Sequence, residues 1–467
     1  MYKPYDELMK RKGQVVIWGT GKNMLRYISK IDPSINLIFF ADTYVHKWGT
    51  YPAKNINSAF MNKICKSKDE IRKENIVLIA MDDVQNIEIV SKELDEKGID
   101  YCYMIDAVNA YMPKYDAIYI EKFYKKYDNI QTENDDMKIN YFINCHVPYT
   151  YCNLKCSYCY IGKFREFKYK RNYFHSPKFI RAALSKKRLG GVALINFCAA
   201  GETLLCKELI PIIKEITDEG HFVSVVTNGT ITEAFNKLLT TDINMDQIFI
   251  KFSFHYQELK RLNLLHVFVN NVIRMRVAGC SVTVEITPSD ELIPYIDDIK
   301  EFSMKEFGAL PHVTVARDNA SKDLRILSDY SNEAYRDIWG TFESALFEFK
   351  MDQIYIKRIE DCMAGEWSFA VDLENGNMNK CLFSSYLDNI YNDILQPLKF
   401  EKVGCNCILP YCYNSHAYLT LGIIEKIKAP TYFSVRDRYT RDGLHWVHGK
   451  MKDIFEQKLY ENNKNKY

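Results

Sequence analysis

Apolar runs alternate with amphipathic stretches along most of the chain. QVVIWGTGKNMLRYI, residues 14–28, reads as an apolar strand, a glycine turn and then a helical apolar period. NLIFFAD, which ends at Asp42, is a second strand. NIVLIAMDD is a third and DYCYMID a fourth, with the helical VQNIEIVSKELDEKG between them. Strands that alternate with helices predict a parallel sheet, here a small Rossmann-like domain over residues 1–126. YDNIQTENDDMK, residues 127–138, is polar and aperiodic and reads as a linker.

A second strand–helix series follows. INYFINCHVPY, ALINFCAAGE, HFVSVVTNG, QIFIKFSFH, SVTVEITPSD and HVTVARD are six strand patterns with helical stretches between them. Eight such units close a barrel, and six suit a partial one. The expected fold class is therefore α/β, with a partial (β/α)6 TIM-like barrel over residues 139–329. Functional residues are expected where its strands end and loops begin. From about Tyr330 the pattern turns to helix and irregular structure, which defines a C-terminal Cys-rich module over residues 330–467. The last residues, ENNKNKY, are expected to fray.

Composition narrows the class. At 467 residues, 47% hydrophobic and 26% charged, the chain has the make-up of a soluble multidomain protein. A net charge of +2 gives no electrostatic case for nucleic acid or an anionic membrane as partner. No apolar run is long enough to span a bilayer, and MYKPYDELMKRKG has no apolar core of a signal peptide. Fourteen cysteines without such a signal point to the reducing cytoplasm, where clustered thiols bind metal or catalyse.

Gly19 and Gly21 form G-x-G, with Asp42 beyond them, but Met24 stands where the third glycine of a dinucleotide fingerprint would be. The glycines either contact a nucleotide or merely make the turn. The stretch loosely resembles the short Rossmann domains appended to carbohydrate-modifying enzymes. More specific is TYCNLKCSYCY, which packs Cys152, Cys156 and Cys159 into eight positions as C-x3-C-x2-C. Three thiolates on a four-iron cluster leave one iron open, the mark of a catalytic site. The competing reading is zinc completed by His146 or Cys145. In SVTVEITP, Thr283 and Glu285 share one strand face, so Glu285 either lines a pocket or is solvated. Arg317 ends the sixth strand and has the fork to grip a carboxylate. His255 reads as structural or substrate-side. Cys198, Tyr149, Tyr151 and Tyr160 are hydrogen-donor candidates or simply packing.

In its ordered context the loop resembles the radical S-adenosylmethionine (radical SAM) enzymes, whose signature is C-x3-C-x-aromatic-C, with Tyr158 as the aromatic. AAGETLL, residues 199–205, is similar to that family's G-G-E-P-L-L, with Ala200 and Thr203 departing from it. TNGT, residues 227–230, and Ser253 sit after the third strand and at the end of the fourth, as in the family. The resemblance covers residues 139–318. It implies a 4Fe-4S cluster on Cys152, Cys156 and Cys159, whose open iron binds S-adenosylmethionine. Tyr158, Gly201, Glu202, Asn228, Ser253, Glu285 and Arg317 are the expected cofactor-side residues. Glu202 would accept from an ammonium, and Gly201 would let backbone approach the cofactor. The implied chemistry is reductive cleavage to a 5′-deoxyadenosyl radical that abstracts hydrogen from substrate, with flavodoxin or ferredoxin as electron donor.

Cys362, Gly376 and Cys381 are spaced like the C-x9–15-G-x4-C element of SPASM and Twitch modules, which carry auxiliary clusters. Cys405, Cys407 and Cys412 follow as C-x-C-x4-C, with His416 in the last place of a full SPASM pattern. This resemblance implies one auxiliary 4Fe-4S cluster on Cys362, Cys381, Cys412 and either Cys405 or Cys407; structural zinc is the alternative. The strand–glycine–helix start, in place of a winged-helix peptide-binding element, points to a carbohydrate or nucleotide-linked small-molecule substrate, with a peptide as the alternative. Ala200 and Thr203 motivate a reading of another class, a non-catalytic metal-binding or electron-transfer protein.

Overall fold

A computed structural model of the chain describes residues 1–81, 83–127, 137–159, 173–318, 321, 323–382 and 384–464. Two compact units emerge: residues 1–122 with 174–179, and residues 123–173 with 180–467.

The first unit holds five parallel strands: β1 (Val15–Trp18), β2 (Leu37–Asp42), β3 (Cys65–Ser67), β4 (Ile76–Ile79) and β5 (Asp100–Tyr103). Their order is β3-β2-β1-β4-β5, with the order reversing between β1 and β4, as in doubly wound sheets. All residues of β1 and β4 are buried, which explains why they read as unbroken apolar runs. β3 was not among the expected strands; three residues, Cys-Lys-Ser, are too few to show a period. The glycine turn lies at the reversal point. Gly19 has φ +106°, a conformation that needs glycine. The carboxylate of Asp42 is taken by its own chain: it accepts from Thr20 N (3.0 Å), Thr20 Oγ1 (2.6 Å), Lys47 Nζ (2.9 Å) and Tyr44 N (3.1 Å). Burial works to raise this carboxyl, but the hydrogen bonds from Thr20 and Lys47 outweigh it and hold the group below its usual range.

The second unit is a partial barrel. Its six parallel strands are β6 (Ile139–Val147), β7 (Val192–Ala199), β8 (Phe222–Thr227), β9 (Ile248–Ser253), β10 (Ser281–Ile286) and β11 (His312–Val313). Helices between them present apolar faces to the sheet; in Leu209–Asp218 those residues are Leu209, Ile210, Ile212, Ile213 and Ile216. The sheet extends past the six strands. β12 (Ser368–Asp372) runs parallel to β6, pairing Ser368 with Phe142 through Asp372 with His146. An antiparallel hairpin, β13 (Asn377–Asn379) and β14 (Tyr386–Asn389), completes it. The region after Tyr330 had been expected to be helical and irregular; instead a five-residue strand from it joins the barrel sheet. The C-terminal tail also departs from expectation. Leu459–Asn463 is helical, Asn463 is fully buried, and its amide donates to Asn140 O at 3.0 Å. Polar side chains here serve the backbone of β6 rather than solvent; residues 465–467 lie outside those described, as do most of the expected linker residues.

The strand register sorts the inner face into layers. Phe142, Leu194, Phe222 and Phe249 form an apolar floor with Leu346, Tyr418 and Phe455. Above it Asn196 donates to Asn144 Oδ1 (3.1 Å), Ser224 donates to Asn196 Oδ1 (3.1 Å), and Asn144 donates to Tyr418 OH (3.2 Å). Nearer the C-terminal strand ends, His146, Cys198, Val226, Lys251, Ser253, Glu285, Thr314 and Asp372 alternate with buried neighbours and each keeps partial accessibility. They line the mouth of an interior space.

Candidate active site

The cysteine loop leaves the C-terminal end of β6. Cys152, Cys156 and Cys159 are all half-buried, and Cys156 feels both of the others. Burial, then the neighbouring Cys152, push the Cys156 thiol up to about 12. A thiol placed like Cys156 stays protonated unless a cation neutralises it. Cys145 and His146, the candidates to complete a zinc site, lie inside β6 on opposite faces, with Cys145 buried. Among the described residues no three of His, Cys, Asp and Glu stand close enough together to hold a single metal ion.

Loops from the next strands shape this one. Gly201 N donates to Tyr149 O (3.0 Å), and Glu202 N donates to Tyr151 O (2.9 Å). A Cβ on Gly201 would overlap the Tyr151 carbonyl and the Thr150 backbone. The glycine is thus needed where the cysteine loop itself passes, and not only, as the sequence suggested, for the approach of a cofactor. Glu202 is buried, and its carboxylate accepts from Thr227 Oγ1 (2.6 Å), Asn228 N (2.7 Å) and Leu204 N (2.9 Å). Burial pushes this carboxyl up against the pull of those bonds. The expected ammonium acceptor therefore spends most of its lone pairs tying the end of β7 to the end of β8. Asn228 donates to Asn153 Oδ1 (2.8 Å) and points its amide at Cys152 Sγ (3.8 Å). Asn153 in turn donates to Thr230 Oγ1 (2.8 Å), so TNGT clamps the loop's first turn.

Two further braces escaped the sequence. Tyr158 OH bonds His255 Nδ1 at 2.8 Å, which places His255 in the site as a partner of the aromatic in the cysteine motif. Burial, then Cys156, hold the Tyr158 phenol well above its usual range. Glu258 accepts from Lys155 N (2.8 Å) and from Arg261, so the loop is fastened to the helix Tyr256–Arg261. Only three-dimensional packing reveals either pair. Tyr151 is exposed, and Tyr160 lies outside the described residues.

Ser253 and Glu285 are adjacent in register on the inner face. Glu285 forms an ion pair with Arg436, from the helix Tyr432–Arg436. Arg317 donates to Tyr413 O (2.9 Å) and lies 5.6 Å from the centre of that ring. The C-terminal cysteines gather apart from this mouth. Cys362, Cys381, Cys407 and Cys412 line one apolar cavity together with Arg358, Leu409 and Tyr418. Cys405 is exposed and does not line it. Burial pushes the Cys362 thiol up to about 12, with Cys381 and Cys407 adding to it.

Residues 146–286 match the Radical SAM superfamily. This stretch resembles a radical SAM domain. Solved structures similar to it include SuiB of Streptococcus suis bound to S-adenosylmethionine, at 13% identity and a TM-score of 0.39, covering 67% of this chain and 75% of that one. Another is native anSMEcpe with bound AdoMet, at 13% identity and a TM-score of 0.39, covering 70% and 98%. No curated protein matches the chain. The superfamily implies a 4Fe-4S cluster and S-adenosylmethionine, and the half-buried thiol triad has the donor set to hold such a cluster. Among the described residues no helix is long and apolar enough to cross a membrane.

Proposed function

We propose that this chain is a cytoplasmic radical SAM enzyme that takes a hydrogen atom from a carbohydrate or nucleotide-linked substrate. The observation that carries the reading is the clamped triad: three half-buried thiols on a loop fixed by Gly201, Asn228, Tyr158 and Glu258, at the C-terminal mouth of the barrel. A reduced four-iron cluster on Cys152, Cys156 and Cys159 would supply the electron that cleaves S-adenosylmethionine to methionine and a 5′-deoxyadenosyl radical. The chain's own residues do the positioning. Glu202 locks the loops after β7 and β8, and the partly accessible inner face beneath them receives the substrate, away from bulk water.

The second cysteine group is assigned to one auxiliary 4Fe-4S cluster on Cys362, Cys381, Cys407 and Cys412. In support, these four thiols surround a cavity rather than converge on a point, which suits a cluster better than a single zinc ion. Flavodoxin or ferredoxin is the expected reductant.

Anaerobic reconstitution tests the reading. About eight irons per chain, with 5′-deoxyadenosine released on reduction, is the expected result. Cys156→Ala should abolish that product while the C-terminal iron remains. Tightly held zinc with no cleavage would instead make the chain a non-catalytic metal protein. Deuterium transfer into 5′-deoxyadenosine from candidate sugars, nucleotides and peptides then decides the substrate, and transfer from a peptide alone would overturn the assignment to a carbohydrate or nucleotide-linked compound.

A further inference from the structure

The inner face holds more positive charge than its own carboxylates answer. Lys251 projects from β9 on the accessible side of the sheet, and among the described residues it has neither a hydrogen bond nor an ion pair. Lys350, from the helix Ala345–Gln353, is buried, and its amine donates to Thr314 Oγ1 (2.6 Å). Lys251, Arg317 and Arg436 surround it electrostatically, with Glu285 the one carboxylate among those neighbours. Glu285 is already paired with Arg436. His416 faces the same four cations, and its Nδ1 is buried with no hydrogen-bond partner. It does not line the cysteine cavity, although the sequence places it at the end of the cysteine pattern.

We propose that this cationic face binds an anionic group of the substrate, a phosphate or a carboxylate, through Lys251, Lys350 and Arg317. The proposal rests on the radical SAM reading and supplies a substrate class for it. Three elements contribute: β9, the segment after β11 and the helix Ala345–Gln353. They meet around Lys350 on the inner face, and β9, which carries Lys251, leads directly into His255 and Glu258, which brace the cysteine loop. An anion held there would anchor the substrate with its remainder directed toward the loop. Two observations fit the geometry. Burial, reinforced by Arg317, holds the Lys350 amine well below its usual range, and an anion bound beside it would favour its charged form. Arg317 donates to Tyr413 O and also meets the Tyr411 hydroxyl, and a five-donor guanidinium still has N–H groups beyond these two contacts for a ligand oxygen. A phosphate suits the nucleotide-linked substrates expected above; a carboxylate would serve an acidic sugar or a peptide.

The test uses the full reconstituted chain, with inorganic phosphate and acetate as separate probes, titrated calorimetrically. Saturable binding of one probe is expected, and whichever binds more tightly identifies the anion. Lys251→Gln should weaken that binding about tenfold or more, as loss of a charge-assisted contact does. Lys92→Gln, at an exposed helix position, should not change it. If Lys251→Gln fails to fold, Arg317→Gln takes its place with the same expected loss. Absence of saturable binding, or equal affinity in the variants, overturns the proposal. So does competition with S-adenosylmethionine, since the site would then hold that molecule's own carboxylate; simultaneous binding supports a substrate anchor. Release of 5′-deoxyadenosine by the unsubstituted chain, measured alongside, keeps the two failures apart. Cleavage without anion binding removes the anchor alone, and anion binding without cleavage removes the radical reading alone.

Discussion

At Gly201 the space of one hydrogen atom separates two backbones. A methyl group there would meet the carbonyl of Tyr151, and neither partner is a flexible side chain that could turn aside. Gly201→Ala should therefore displace the cysteine loop while the barrel still folds. Misplacement of this kind costs about a hundredfold in rate, so 5′-deoxyadenosine release should fall by that order and iron content should drop toward that of Cys156→Ala. Normal iron and normal release would show that the loop has slack. The C-terminal thiols give a second contrast. Cys407→Ala should remove about four irons per chain, whereas Cys405→Ala should remove none, because only Cys407 lines the cavity; equal losses would refute the assignment. At this scale the sequence was informative wherever chemistry demands spacing. Cys152, Cys156 and Cys159 declare themselves, while C-x-C left two candidates that only burial separates. Tyr158–His255 and Glu285–Arg436 join residues 97 and 151 positions apart, and no local pattern encodes such distances.

Elements were legible in proportion to their length. The long strands β6 and β7 announced themselves, and the three-residue β3 did not. β12 was hidden for another reason. SFAVD is a short apolar run inside a cysteine-rich stretch, and its pairing with β6 spans more than two hundred residues. Lys251 sits inside the strand pattern QIFIKFSFH without standing out, and its meaning depends on Lys350 and Arg436, whose helices carry no matching signal. His221 shows how one side chain ties elements together. Its Nδ1 accepts from Ala193 N in β7 (3.0 Å), and its Nε2–H donates to Leu184 O (2.8 Å). Burial lowers its pKa from 6.5 to about 4. A depressed histidine contributes stability that is complete above 6.5, declines as pH falls, and is gone below about 4. Between pH 7 and pH 5 the chain should lose about 2 kcal/mol through this group. In urea unfolding, His221→Gln should begin weaker at pH 7 and lose less over the same interval; an identical pH dependence would assign the loss to other groups.

Across the whole second unit, the chain's end secures the barrel's beginning. Gln457 accepts from Ile139 N (3.1 Å) and donates to Met137 O (2.6 Å). Asn462 donates to Ile139 O (2.8 Å), and Asn463 donates to Asn140 O. Leu459 is fully buried in the core that also contains Phe142, Phe249 and Phe455. The polarity of ENNKNKY suggested solvent, but Asn462 and Asn463 satisfy main-chain groups of β6 that would otherwise face an apolar floor. The consequence reaches the cysteine loop, because that loop begins where β6 ends. A chain ending at Phe455 loses the buried Leu459, worth about 2–5 kcal/mol in a core, and leaves polar groups of β6 unsatisfied at about 1–3 kcal/mol each. Thermal unfolding should shift downward by several degrees at least, and the reconstituted protein should retain less iron on Cys152, Cys156 and Cys159. A chain ending at Asn463 keeps every one of these contacts and should unfold like the full-length protein. If both truncations behave alike, the tail is dispensable, and the first strand is held by its neighbours β7 and β12 alone.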